Sequence, residues 1–202
     1  MRESIVIGIV GENCAGKDSF ARFFKDVVPP VWSVEMIRFF DPISETARSF
    51  GIEKNRHNMQ RIPVVLEQEF GKGLLANEIA RRVEESDKDI VIANGLRWPQ
   101  DLEMLRVFPK NILVYITATP ETRYNRMRAR KEKAGECMAS WEQFLREGAA
   151  PNEITIPVIG GHADWKFENE GTTDDLLLNV KEFFSEKIYH LMDITLRECW
   201  KN

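Results

Sequence analysis

The stretch SIVIGIVGENCAGKDS, residues 4–19, decides the fold. Its first seven residues are β-branched on both faces, the pattern of a strand buried on both sides of a parallel sheet. A glycine-bounded turn follows and ends in Gly16-Lys17, as in the phosphate-cradling pattern G-x-x-x-x-G-K-[ST]. Gly11 and Gly16 let the backbone wrap around a phosphate with successive N–H groups pointing inward. Lys17 opens a helix whose N-terminus carries partial positive charge, and its ammonium reaches toward β- and γ-phosphates. The nucleotide-holding set is therefore Gly11, Asn13, Cys14, Ala15, Gly16, Lys17, Asp18 and Ser19, with ATP and Mg²⁺ as the expected ligands. Cys14 reads as a small tolerated residue rather than a nucleophile.

One letter departs from the pattern. Asp18 stands where a hydroxyl normally helps hold magnesium. A second departure lies in DIVIANGLRWP, residues 89–99, where the apolar run ends at Asn94 and an amide replaces the acid expected at that strand end. One position gains a negative charge and the other loses one. Asp18 is thus the candidate magnesium ligand, directly or through a water, with Ser19 taking over a hydroxyl contact to phosphate. The competing reading is that Asp18 only caps or pairs locally and that phosphates and water hold the metal.

Outward from the loop, strand-like runs recur at 34–40, 89–93, 111–117 and, more weakly, 163–168. Helix-period segments alternate with them at 17–27, 42–50, 59–85 (broken at 71–73), 99–107 and 120–133. This alternation predicts an α/β fold, a five-stranded parallel sheet with helices on both faces. The stretch 131–150, containing KEKAGE, reads as an exposed or mobile excursion, and 173–200 as one long helix. Beyond residue 185 that helix carries more apolar surface than a small sheet needs, so a homodimer contact stands beside plain packing.

Composition sets the bounds. The chain has 202 residues, 43% of them hydrophobic, enough for a single domain with a real core. A net charge of −4 argues against a broad surface for nucleic acid or anionic membrane. Cys14, Cys137 and Cys199 show no metal or disulfide spacing, and His57, His162 and His190 share none either. The first apolar run is too short for a signal peptide, and no stretch approaches the ~18 apolar residues of a membrane span. The expectation is a cytoplasmic protein with a small-molecule partner.

GKDS followed by FARFF, FFDP at 39–42 and GLRWPQDLEMLR at 95–106 together resemble the P-loop nucleoside monophosphate kinases. The similarity is to the phage-type deoxynucleoside monophosphate kinases and related archaeal and bacterial nucleotide-kinase-like proteins, and covers most of residues 5–171. FENEGTTDDL, residues 167–176, is similar to the terminal element of the archaeal proteins. Gly95-Leu96-Arg97 inserts one residue before the arginine of the phage-type pattern. The resemblance implies a three-layer P-loop NTPase fold with a helical acceptor-binding insertion at about 42–87 and a short lid at about 131–150. It implies transfer of the ATP γ-phosphate to a nucleoside or deoxynucleoside monophosphate.

Asp41, after the second strand, would orient the acceptor or cap the next helix. Arg97 is the best clamp for an acceptor phosphate, because a guanidinium binds phosphate bidentately. Arg61 and Arg48 on the insertion are weaker candidates. PETRYNRMRAR, residues 120–130, supplies Arg123, Arg126 and Arg130 on one side of a helix, to close over the donor and exclude water. The alternative is a basic helix end serving the macrodipole. Gly171 and Thr172 would frame the donor base. Dephospho-CoA kinase shares the loop, but its D-A-D after the second strand is absent. A non-catalytic nucleotide-binding module is a third reading, motivated by Asn94; a GTP switch lacks its N-K-x-D sequence.

Overall fold

The computed structural model describes residues 3–129 and 140–191. Five strands, β1 (Ile5–Val10), β2 (Val34–Arg38), β3 (Ile90–Leu96), β4 (Asn111–Thr117) and β5 (Trp165–Glu168), form one sheet in the order β2-β3-β1-β4-β5. Every pairing is parallel, as the buried, β-branched runs predict. The central strand β1 shows how one sequence serves two cores. Its Ile5, Ile7 and Ile9 face one layer and Val6 and Val10 the other, following the two-residue period of a strand.

The first layer is α1 (Lys17–Val27) with α10 (Thr173–Phe183). Phe20 and Phe24, one helical turn apart on α1, meet Phe183 with ring centroids 5.5 and 5.8 Å away. The opposite layer contains α4 (Leu74–Glu85), α5 (Pro99–Val107) and α9 (Ile156–Gly160), seated on Val6, Val91 and Leu113 through Ile79, Leu105 and Ile156. The predicted insertion forms α2 (Phe40–Ser49), α3 (Arg56–Phe70) and α4. Gly71 and Gly73 break it as expected, both at positive φ. Because β1 lies between β3 and β4, the loops at its C-terminal end diverge and leave the crevice where α/β sheets bind ligands.

Four boundaries differ from the sequence reading. β3 runs two residues beyond Asn94 because its register against β1 shifts: Ile9 pairs with Asn94 but Val10 with Leu96. Gly95, at φ 101°, is the skipped residue, and this bulge absorbs the extra residue before Arg97. The helix expected at Pro42 starts at Phe40, so Asp41 lies within its first turn and not at the cap; its carboxylate accepts from the Arg38 N–H at 3.1 Å. The α-helical geometry of α10 stops at Phe183, and residues Phe184–Ile188 form a π turn that buries both Phe184 and Ile188. Widening the turn brings two consecutive phenylalanines into the core, which a continuous α-helix would splay apart. The extended apolar surface expected beyond Leu191 lies outside the described residues.

The fourth difference is in the expected excursion at 131–150. Its described part folds as α7 (Trp141–Gly148), capped by Ser140, whose hydroxyl accepts from Gln143 N–H at 3.2 Å. Phe144 is buried against Cys14 and Met127. Short helices α8 (Pro151–Ile154) and α9, which the sequence reading lacks, connect α7 to β5. Among the described residues no helix is long and apolar enough to cross a membrane.

Candidate active site

The loop between β1 and α1 is packed from beneath by backbone. A Cβ at Gly11 would lie 2.1 Å from the Ile116 carbonyl oxygen, so only glycine fits against β4 there. Gly16 takes φ 112°, and a Cβ on it would lie 2.3 Å from Asn169 Nδ2. That amide, at the end of β5, donates to the Ala15 carbonyl at 2.8 Å and is buried. Asn169 therefore anchors the loop from the far side of the sequence. Cys14 holds a left-handed φ of 63°, a strained value for a residue with a Cβ.

Lys17 folds back across the loop, donating to the Gly11 and Glu12 carbonyls at 2.7 and 2.8 Å. Burial, with Arg97 adding to it, holds its ammonium down to about 8; Glu153, Asp18 and Glu12 pull the other way. Glu12, inside the loop, accepts from the Tyr115 hydroxyl at 2.7 Å. Burial pushes the Tyr115 phenol up to about 12.

Asp18 and Asn94 meet: Asn94 Nδ2 donates to Asp18 Oδ1 at 2.8 Å, and Arg38 Nε lies 3.9 Å from the same oxygen. The strand-end amide and the loop acid thus form one unit. Asn94 Oδ1 is buried without a partner, beside a carboxylate that is 61% exposed. The exposed Asp18 carboxylate is a hard oxygen donor that fits a hydrated Mg²⁺, which keeps most of its waters and takes few protein ligands, whereas Asn94 faces that acid with its amide nitrogen and not its buried oxygen. Among the described residues no group of three or more His, Cys, Asp or Glu side chains is placed to hold a metal. The remaining ligands would have to be phosphate oxygens and water. Ser19 is half-buried beside Asp18 in a groove of about 410 Å³ that Arg22, Arg38 and Met36 also line.

Arg97 follows directly from β3. Its N–H and that of Trp98 are held by the Asp101 carboxylate at 2.8 and 2.9 Å, and burial raises Asp101 to about 6. Its guanidinium pairs through Nη1 with Glu153 on α8, and Thr155 donates its hydroxyl to the Arg97 carbonyl at 2.5 Å.

On α6 (Pro120–Ala129), Arg123 lies over the Phe144 ring at 5.5 Å and its Nε donates to the Ala118 carbonyl at 3.0 Å. Arg126 Nη2 donates to the Gly171 carbonyl at 3.3 Å, while its Nη1 is buried without a partner. The basic helix thus meets the loop after β5, and Glu170 bonds Thr122 of that helix and Thr119 just before it. Thr172 is the N-cap of α10, accepting from Asp175 N–H at 3.3 Å. Arg130 lies outside the described residues.

Lys17, Asp18, Asn94 and Arg97 therefore converge, and Arg126 joins Gly171. Arg48 and Arg61 are exposed on α2 and α3, and no hydrogen bond or ion pair ties either to the loop among the described residues. Asp41 bonds its own turn. Sequence reasoning missed Glu153, Asp101, Asn169 and Glu12. Asp101 carried a signal, an acid at the third position of a proline-started helix. Glu153 carried none, because nothing near it in sequence marks it as a partner of Arg97.

No protein-family model matches the chain. It is 24% identical over 181 residues to a UPF0200 protein of Hyperthermus butylicus, covering 90% of this chain and 94% of that one. It is 27% identical over 190 residues to the UPF0200 protein of Methanocaldococcus jannaschii, covering 93% and 92%. Among solved structures, shikimate kinase from Bacteroides thetaiotaomicron superposes with a TM-score of 0.59 at 14% identity, covering 90% of this chain and 98% of that one. A gluconokinase from Sinorhizobium meliloti superposes with a TM-score of 0.53 at 13% identity, covering 96% and 100%. The loop, the parallel sheet and these superpositions together give the chain the three-layer P-loop fold of the small-molecule kinases.

Proposed function

We propose that this chain is an ATP- and Mg²⁺-dependent phosphotransferase whose acceptor is a nucleoside or deoxynucleoside monophosphate. The observation that carries the reading is the convergence of a lysine in a phosphate-binding loop with an arginine from the end of the neighbouring strand β3, whose charge adds to the burial that holds the lysine down. A bound polyanion favours both groups in their charged form.

The loop amides and Lys17 hold the β- and γ-phosphates, and α1 adds its N-terminal field. Arg97 clamps the acceptor phosphate in line. Arg126, with one buried N–H unpartnered, supplies a donor toward the transferring group, and Arg123 and Arg130 add positive charge around it. Mg²⁺, when bound near Asp18, neutralises charge on the β- and γ-oxygens. Asp41 and Arg61 take supporting positions at the acceptor end, Gly171 and Thr172 at the donor base. These roles, a site in the cytoplasm and self-association through the C-terminal segment belong to the same proposal.

The test is acceptor-stimulated ADP release from ATP–Mg²⁺ across all common ribo- and deoxyribonucleoside monophosphates, with dephospho-CoA, shikimate and gluconate alongside. The hydroxyl acceptors belong in the panel because kinases named for two of them share the fold. Turnover with a monophosphate supports the reading. Turnover with only a hydroxyl acceptor replaces it, and ATP binding without turnover leaves a regulatory module. Asp18→Ala should raise the Mg²⁺ half-saturation of activity by about tenfold; an unchanged requirement would remove Asp18 from the metal.

A further inference from the structure

Glu153 is 6% exposed, an unusual place for a carboxylate unless it is paired. Its partner is the Nη1 of Arg97, whose side chain remains 34% exposed. No other hydrogen bond of that guanidinium exists among the described residues, so Nε and Nη2 stay available as a two-pronged donor edge. The same short segment holds the residue a second time, through the Thr155 hydroxyl on the Arg97 carbonyl at 2.5 Å. Asp101 holds its N–H from below. The arginine is thus gripped at its amide, its carbonyl and one prong of its fork.

We propose that Glu153 is a positioning residue: from behind, it fixes the guanidinium of Arg97 so that the free edge meets an acceptor phosphate bidentately. This rests on the phosphotransferase reading and adds the residue that makes its clamp specific. A flexible arginine loses side-chain entropy on capturing a phosphate, whereas one held by a buried carboxylate has lost it on folding.

The experiment compares the full chain with Glu153→Gln, Glu153→Ala and Arg97→Ala, with thermal melting of each to confirm folding. Steady-state kinetics use the best monophosphate from the panel, and calorimetry follows binding of that monophosphate and of ADP. Glu153→Ala should raise the acceptor KM by about tenfold or more, the loss expected for a charged hydrogen bond, while the KM for ATP moves less than about threefold. Glu153→Gln, which keeps an oxygen facing Nη1, should recover most of that loss.

Equal losses toward ATP and acceptor, or no recovery by Gln, would each overturn the positioning role. If the wild type turns over nothing, the phosphotransferase reading falls and monophosphate binding decides: Glu153→Ala should weaken it as much as Arg97→Ala and leave ADP binding intact. A wild type that neither turns over nor binds a monophosphate overturns both.

Discussion

The two ends of the crevice are built differently. The proposed donor end is a backbone structure: loop amides between β1 and α1, Gly11 pressed on β4 and Gly16 on Asn169, and that one buried amide tying the loop to β5. The proposed acceptor end is a side-chain structure, with Arg97 held by Asp101 on one stretch of chain and by Glu153 and Thr155 on another. A backbone cradle recognises what all nucleoside triphosphates share. A charge-paired arginine can be tuned by changing its supports, so on the proposed reading specificity belongs there.

The largest expected effect breaks the donor end. Lys17→Ala should cut phosphoryl transfer by about 10²–10³-fold, the loss typical of a preorganised electrostatic group, while acceptor binding measured by calorimetry persists. Loss of both would erase the distinction between the ends. Asn169→Ala leaves the Ala15 carbonyl buried and unpaired, which costs about 1–3 kcal/mol. It should raise the KM for ATP and lower the melting temperature, with the acceptor KM unchanged.

Proton linkage sharpens the comparison. Lys17 is held at about 8 from its ordinary 10.5, so near pH 8 half the free protein lacks that proton. A bound triphosphate restores the charge, and binding at pH 8 should take up a proton fraction that shrinks toward neutrality. ATP affinity should fall as pH rises from about 8 to 10.5. Titration calorimetry in buffers of differing ionisation enthalpy measures this; monophosphate binding, which engages Arg97, should show much less uptake. The smallest effect belongs to Arg61→Ala. Arg61 is exposed and makes no ion pair among the described residues, so stability should change by less than about 0.5 kcal/mol; a rise in acceptor KM supports its position at the acceptor end, and an unchanged KM removes the insertion from the site.

The fold was legible because its signals are local. The β1–loop–α1 unit, the five parallel strands and the glycine break between α3 and α4 all follow from short-range pattern, and α1, α5 and β4 have the residue limits read from sequence. The errors fall where packing overrides pattern. Two adjacent phenylalanines force a π turn after Phe183. Phe144 draws an apparently solvated stretch into a helix against Met127 and Cys14.

The odd aspartate of the loop shows both limits. Sequence alone identified Asp18 and Asn94 as complementary departures from one pattern, since charge at each position can be counted without coordinates. Only the tertiary structure shows them bonded at 2.8 Å, across 76 positions of chain, with an amide oxygen left over beside the acid. By itself the sequence determined the sheet, the phosphate loop and the arginines available, because strand burial and glycine conformation are short-range constraints. Which arginine is held for use was decided by tertiary structure, because Glu153 lies 56 positions from Arg97 and only folding brings a buried acid to it.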